Sequence, residues 1–368
     1  MESQINNSPL FSPLAIQGLE LKNRIVMAPM TRSRAPGAVP NDLMASYYAQ
    51  RATAGLIIAE GTAPSPSGLG YSRIPGIFNE SQVAGWKKVT GAVHARGGRI
   101  FLQLMHTGRV AHPDNLPEGT AVIAPSPIQA EGEMWTDTNG MQALPVPREM
   151  SPEDIQQTIN EYVKAAENAV EAGFDGVEIH AANGYLPGQF LNPHSNKRTD
   201  AYGGDIAGRS RFILELGASI ARAIGPEKTG VRLSPYSTFN SMHPYEETFE
   251  TYDYLSAELD KLNLVYIHLV EPAARELEEG RRLVEKIRSN FRNLFIANGG
   301  YSAESAAEAV ENDQAHLVSF GAPFISNPDL AERIQNNLQL EAADPGTFYT
   351  PGEKGYIDYP FYSTEISQ

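Results

Sequence analysis

Eight short runs rich in β-branched and other apolar residues recur along this 368-residue chain, separated by segments with helical spacing. They fall at 24–30 (RIVMAPM), 56–62 (LIIAEGT), 99–105 (RIFLQLM), 176–181 (GVEIHA), 229–235 (TGVRLSP), 264–271 (LVYIHLVE), 293–299 (NLFIANG) and 315–321 (AHLVSFG). Strands that stay apolar along their length, instead of alternating, are covered on both faces, as in a parallel sheet flanked by helices. Eight such units predict an α/β fold of the (β/α)8, or TIM-barrel, type in a single domain spanning 1–368. A doubly wound open sheet is the competing architecture.

The helices announce themselves through their caps. Ser151-Pro152-Glu153-Asp154 offers an N-cap, a proline at the first helical position and early negative charge. Ile155, Ile159, Val163, Ala166 and Val170 then repeat at helical spacing until Gly173. Ser302 and Asn327-Pro328 are further expected helix starts. Upstream of the first run, LAIQGLELKNR alternates apolar and polar residues around Gly18, predicting a hairpin that plugs the barrel bottom. The connection 107–150 is rich in Pro and Gly and lacks sustained periodicity. Loops beyond about 15 residues are commonly functional, so a lid over the catalytic end is expected there. The segment from 341 to 368 is also irregular.

Hydrophobic residues make up 41% of the chain, ample for a large core, and the net charge is −15. That charge argues against nucleic acid and against anionic membrane surfaces as partners. Cysteine is absent, which excludes disulfides, Fe–S clusters and a thiol nucleophile. The start MESQINNSPLFSPLAIQ has neither a basic n-region nor an apolar h-region, and no window reaches the roughly 18 apolar residues of a membrane span. A soluble cytoplasmic protein, monomer or homodimer, is the expectation.

Polar side chains gather at the ends of the runs, where a barrel places its chemistry. They include Thr31 and Arg32, Glu60 and Thr62, Gln103 and His106, then His180, Asn183 and Tyr185. Arg232, His268, Glu271, Asn298-Gly299-Gly300 and Gly321 follow on later strands. The glycine turns after runs seven and eight could cradle an anion or be ordinary turns. Neither GxGxxG nor GxxxxGK[ST] occurs, so a nucleotide would have to bind to the barrel itself. Taken singly, Thr31, Gln103 and a His-x-x-Asn-x-Tyr loop are more often structural hydrogen bonding, and Arg232 could simply pair with Glu178.

The stretches LKNRIVMAPMTRSRA, GRIFLQLMHTGR, HAANGYLPGQFLNPHSNKRTDAYGG, NPDL and TFYTPGEKGYIDYP occur in this order along nearly the whole chain. In them the chain resembles the old yellow enzyme family of FMN-dependent ene-reductases, in its classical branch. The resemblance implies non-covalent FMN across the barrel mouth, its phosphate near strands seven and eight. Thr31 would meet the flavin edge near N5, Gln103 the pyrimidine edge, and Arg232 the N1–C2 region, where a cation favours the reduced anionic ring. Pro29, Met30 and Gly61 would line the flavin through their backbone, with Phe348 nearby. Gly299, Gly300, Phe320, Gly321 and Ala322 would sit at the phosphate end. His180 and Asn183 would bind a substrate carbonyl and stabilise the enolate, and Tyr185 would protonate the α-carbon. Tyr71, Met105 and Tyr349 match positions around the substrate pocket. NADPH or NADH would reduce the flavin in the same pocket, giving a ping-pong cycle that reduces activated C=C bonds of α,β-unsaturated carbonyl or nitro compounds.

The chain also departs from the family. Ala322 stands where many relatives carry a phosphate-binding arginine, Met105 where some have tryptophan, and Thr31 where another branch has cysteine. Weaker FMN retention is expected from the first of these. Two rival readings are a metal-dependent barrel hydrolase using His106, His180, His268, Glu60 and Glu271, and a flavin-binding barrel without turnover. An isomerase using the same flavin is a nearer variant.

Overall fold

The computed structural model describes residues 8–362. Fourteen strands occur among them. The first two, β1 (Leu14–Ile16) and β2 (Leu19–Leu21), form the expected antiparallel hairpin. Gln17 and Gly18, at φ 50° and 84°, supply the left-handed pair that a two-residue hairpin turn requires. The barrel follows as β3 (Ile25–Met27), β4 (Leu56–Thr62), β5 (Ile100–Leu104), β10 (Gly176–His180), β11 (Thr229–Leu233), β12 (Tyr266–Val270), β13 (Leu294–Asn298) and β14 (Leu317–Phe320). These eight close in sequence order, every pair parallel, with β14 bonded to β3. The closed cylinder excludes the open-sheet alternative. Seven of the eight strands are shorter than their apolar runs, β4 alone matching its run; Pro29 and Met30, for instance, lie beyond the end of β3.

Helices Asp42–Gln50, Glu80–His94, Pro152–Glu171, Ile206–Ile224, Thr248–Lys261, Glu278–Asn290, Ala303–Glu311 and Leu330–Gln335 cover the outside. Ser151 caps the third through a reciprocal box with Asp154, and Ser302 caps the seventh in the same way with Ser305. The expected start at Asn327-Pro328 is displaced: a turn intervenes, and the last helix begins at Leu330.

Large and small side chains alternate inside the cylinder. Phe101 and Tyr266 fill its lower half, and a Cβ on Gly176 or Gly230 would come within 2.5 Å or 2.3 Å of those rings. Leu19 and Leu21 join the same buried cluster, so the hairpin seals the bottom with apolar surface. The upper end is left for polar groups.

Two further segments shape that end. Between Met105 and Met150 the chain is more ordered than expected: β6 (Ile123–Ala124) pairs in parallel with β9 (Arg148–Glu149), and β7 (Glu133–Thr136) with β8 (Gly140–Ala143) as a hairpin. The C-terminal strap lacks regular structure beyond one turn at Pro345–Thr347 and is held by buried arginines. Arg34 donates to the carbonyls of Thr347 and Phe348 at 2.8 and 2.7 Å, and Arg32 to those of Phe348 and Gly355 at 3.1 and 2.7 Å. Tyr356 beneath them stacks on Tyr47, with ring centroids 4.0 Å apart.

Candidate active site

A cavity of about 880 Å³ opens at the C-terminal end of the barrel. This lies near the top of the roughly 300–1,000 Å³ usual for small-molecule sites. Thr31, Gln103, His180, Asn183, Tyr185 and Arg232 all line it, as do Pro29, Tyr71, Met105 and Tyr349. The remaining expected residues do not reach its walls. Gly61 lies beneath Met105, whose sulfur would be 2.5 Å from an added Cβ. Met30 packs against the core and Phe320 is buried in it. Phe348 is half-buried beside the cavity, its carbonyl taken by Arg32 and Arg34. Gly299, Gly300, Gly321 and Ala322 form turns at the β13 and β14 ends, and Ala322 is exposed.

The strand-four loop is shaped by its backbone. Asn183 holds φ 56°, a conformation asparagine tolerates better than most residues. Its N–H donates to the Ser234 hydroxyl at 2.7 Å, and its carbonyl accepts from Asn240 at 2.8 Å. His180 Nδ1 accepts from the Ala182 N–H at 3.3 Å, which leaves Nε2–H as the donor. Burial, then Arg232 and His268, hold the His180 pKa well below the ordinary histidine value, so the ring is neutral. Tyr185 packs edge-on against His180, and its phenol oxygen lies 3.0 Å from that of Tyr71. Burial raises the Tyr185 pKa well above 10, so its proton is retained at working pH.

Beneath these groups runs a hydrogen-bond chain that the sequence reading did not assemble. Gln103 Nε2 donates to Glu178 Oε1 at 2.8 Å, and His268 Nδ1 meets Glu178 Oε2 at 2.8 Å. His268 Nε2 lies 2.8 Å from the Ser319 hydroxyl, which accepts from Asn298 Nδ2 at 2.8 Å. Arg232 Nη2 donates to Asn298 Oδ1 at 2.9 Å. The six residues stand on six different barrel strands. Burial lowers the His268 pKa, so a neutral ring relays donation from Ser319 to Glu178. The direct Arg232–Glu178 pair considered above is thus replaced by a three-residue relay. Gln103, with its amide nitrogen engaged, keeps its carbonyl oxygen for the cavity.

Arg232 Nε is buried without a hydrogen-bond partner. An orphaned cationic donor in a cavity wall costs free energy unless a ligand satisfies it. Gly300, at φ 73°, has nothing within 4 Å of an added Cβ, which leaves an open turn. The orphaned donor fits an electron-rich acceptor on an organic cofactor, and the open turn leaves room for an anionic group. The five residues of the metal-hydrolase reading are dispersed instead. His106 bonds Ser67 at 3.2 Å, Glu60 bonds Tyr48 at 3.1 Å, and Glu271 bonds Tyr301 at 2.8 Å and Arg275 at 2.9 Å. Among the described residues no group of three or more His, Cys, Asp or Glu converges as metal ligands, and no helix is long and apolar enough to cross a membrane.

Fold and cavity together define a (β/α)8-barrel protein with a polar, ligand-sized site at the C-terminal ends of its strands. Residues 9–341 match the NADH:flavin oxidoreductase / NADH oxidase family model. The chain belongs to that family, the old yellow enzyme group, and is an FMN-dependent oxidoreductase. It is 42% identical over 377 residues to 12-oxophytodienoate reductase 7 of Oryza sativa subsp. japonica, covering 96% of this chain and 95% of the relative. It is 44% identical over 367 residues to a chanoclavine-I aldehyde reductase of Penicillium roqueforti, covering 96% of each. Morphinone reductase in complex with tetrahydroNAD superposes with a TM-score of 0.93 at 43% identity, covering 98% of this chain and 100% of that one.

Proposed function

We propose that the protein is an ene-reductase, reducing the C=C bond of α,β-unsaturated carbonyl or nitro compounds with NADH or NADPH as the source of electrons. The reductase names of the relatives support this reading. The observation that carries it is the placement of a neutral His180, Asn183 and a protonated Tyr185 on one loop, facing the same cavity as Arg232. Bound FMN would supply a two-electron carrier between nicotinamide and alkene. Thr31, the Gln103 carbonyl and the orphaned Arg232 Nε would hold it, with backbone N–H groups near Gly300 and Gly321 taking the phosphate. His180 Nε2–H and the Asn183 amide donate to the substrate's carbonyl or nitro oxygen. They polarise the double bond and stabilise the negative charge that grows on that oxygen during reduction. Tyr185 holds the proton destined for the α-carbon, and its contact with Tyr71 fixes the phenol's direction. Met134, Trp135 and Met141 line the cavity from the 107–150 segment, which acts as the lid that limits substrate size.

Anaerobic bleaching of the flavin by nicotinamide, followed by recolouring with 2-cyclohexenone, separates the two half-reactions. Tyr185→Phe is expected to slow recolouring by about 10²-fold or more, in line with general acid catalysis, while bleaching stays near the wild-type rate. Equal collapse of both would remove Tyr185 from the proton-donor role.

A further inference from the structure

Single apolar side chains on a protein surface need no explanation, but a group of them around a cavity does. Nine large hydrophobic side chains are exposed among the described residues. Four of the nine line the cavity described above: Trp135, Met141, Phe239 and Tyr349, at 54%, 52%, 57% and 62% exposure. They come from three separate parts of the chain: the lid hairpin, the loop between β11 and helix Thr248–Lys261, and the strap. Trp135 and Met141 are direct cross-strand partners on β7 and β8, so both side chains leave the same face of the hairpin. Met134 and Thr136, on the other face, are buried and hold the hairpin to the body.

Trp135 and Tyr349 are tethered from behind. Trp135 Nε1 donates to Asp137 Oδ1 at 3.1 Å, and the Trp135 carbonyl accepts from Asn115 Nδ2 at 3.0 Å and Ser72 Oγ at 3.2 Å. Asp137 also pairs with Arg73, whose Nη2 donates to the Tyr349 carbonyl at 3.0 Å. One polar chain thus links lid and strap, and preorganised aromatic surface binds a ligand with little loss of side-chain freedom. We propose that this mouth is a clamp for the apolar part of the alkene substrate, so that the preferred substrates are enones or nitroalkenes carrying an uncharged alkyl chain or fused ring beyond the reacting carbons. This rests on the ene-reductase reading above and deepens it by naming the substrate class. His180 and Asn183 take the carbonyl or nitro oxygen at the floor. The apolar substituent leaves water for the faces of Trp135, Phe239 and Tyr349 and for the Met141 thioether, whose flexibility suits chains of different shape. A small enone such as 2-cyclohexenone has no such substituent and leaves the rim wet.

The test measures kcat and KM of the holoenzyme, at saturating NADH, for (E)-3-alken-2-ones lengthened one methylene at a time. Complete burial of a methylene corresponds to about fourfold in affinity. At this half-open rim KM is expected to fall about twofold per added methylene over the longer members, with little change in kcat. Trp135→Ser and Phe239→Ser, both at exposed positions, are each expected to cut the long-to-short ratio of kcat/KM about fivefold. A wild-type KM that does not fall with chain length, or a slope that neither variant changes, overturns the inference. So does a loss confined to flavin bleaching by NADH, which would make the mouth a seat for the dinucleotide's adenine. If neither the series nor 2-cyclohexenone recolours the bleached flavin, the ene-reductase reading itself falls, and this one with it.

Discussion

Glu60 is a carboxyl sealed below the cavity, accepting from Tyr48 Oη at 3.1 Å and from the Arg32 N–H at 3.3 Å. Burial outweighs these bonds and raises its pKa from 4.5 to about 7. Between these two values the folded protein keeps a proton that the unfolded chain has released. The stabilisation is therefore complete below the unfolded value and is lost as pH rises through about 7. Glu60→Gln is expected to remove that slope. Urea midpoints of wild type and variant should diverge from pH 5 to 8, the wild type losing on the order of 2–3 kcal/mol relative to the variant. Parallel curves would show that Glu60 titrates normally. At this scale the sequence was legible where chemistry is local: His180, Asn183 and Tyr185 lie within six residues and share one loop. It was opaque where partners are distant. Glu178 and His268 are 90 positions apart, and only barrel closure brings them within 2.8 Å.

Among elements, the turn into helix Ala322–Ser326 carries alanine where the family resemblance implies an arginine. Ala322 is exposed beside Gly321, leaving the expected phosphate end without a cation of its own from β14. Ala322→Arg is expected to tighten FMN binding about tenfold, as a charge-assisted bond would, read from flavin fluorescence on dialysis or titration. Unchanged retention would mean that this turn is not where the phosphate sits. All eight barrel strands were visible as apolar runs because burial on both faces leaves no alternation to confuse. The lid hairpin was missed for the opposite reason. GluMetTrpThr and GlyMetGlnAla hold few β-branched residues, and only the Asn139-Gly140 step, with Gly140 at φ 71°, signalled a turn. That hairpin brings Trp135 and Met141, both more than half exposed, to the cavity mouth.

Across the whole molecule, the arginine-held strap joins the last described turns to the segment just after β3. Arg34→Met would strip the donor from the Gly352 and Lys354 carbonyls and one of two donors from those of Thr347 and Phe348. Unpaired polar groups of this kind cost about 1–3 kcal/mol. The variant is expected to unfold at lower urea and to be cut by protease first between residues 344 and 355, with the barrel fragment surviving. Cleavage elsewhere first would show that the strap is anchored by its apolar contacts alone. Its attachment was hidden in the sequence, because arginines at 32 and 34 and bare carbonyls beyond 346 carry no motif for each other.

The strap also has a temporal meaning. Pro345, Gly346 and Tyr349 form part of the cavity wall, yet they follow β14, the last strand of the cylinder, in the chain. A nascent chain can close its cylinder while this side still stands open, so the flavin pocket is complete only once the segment beyond β14 has also been made and docked.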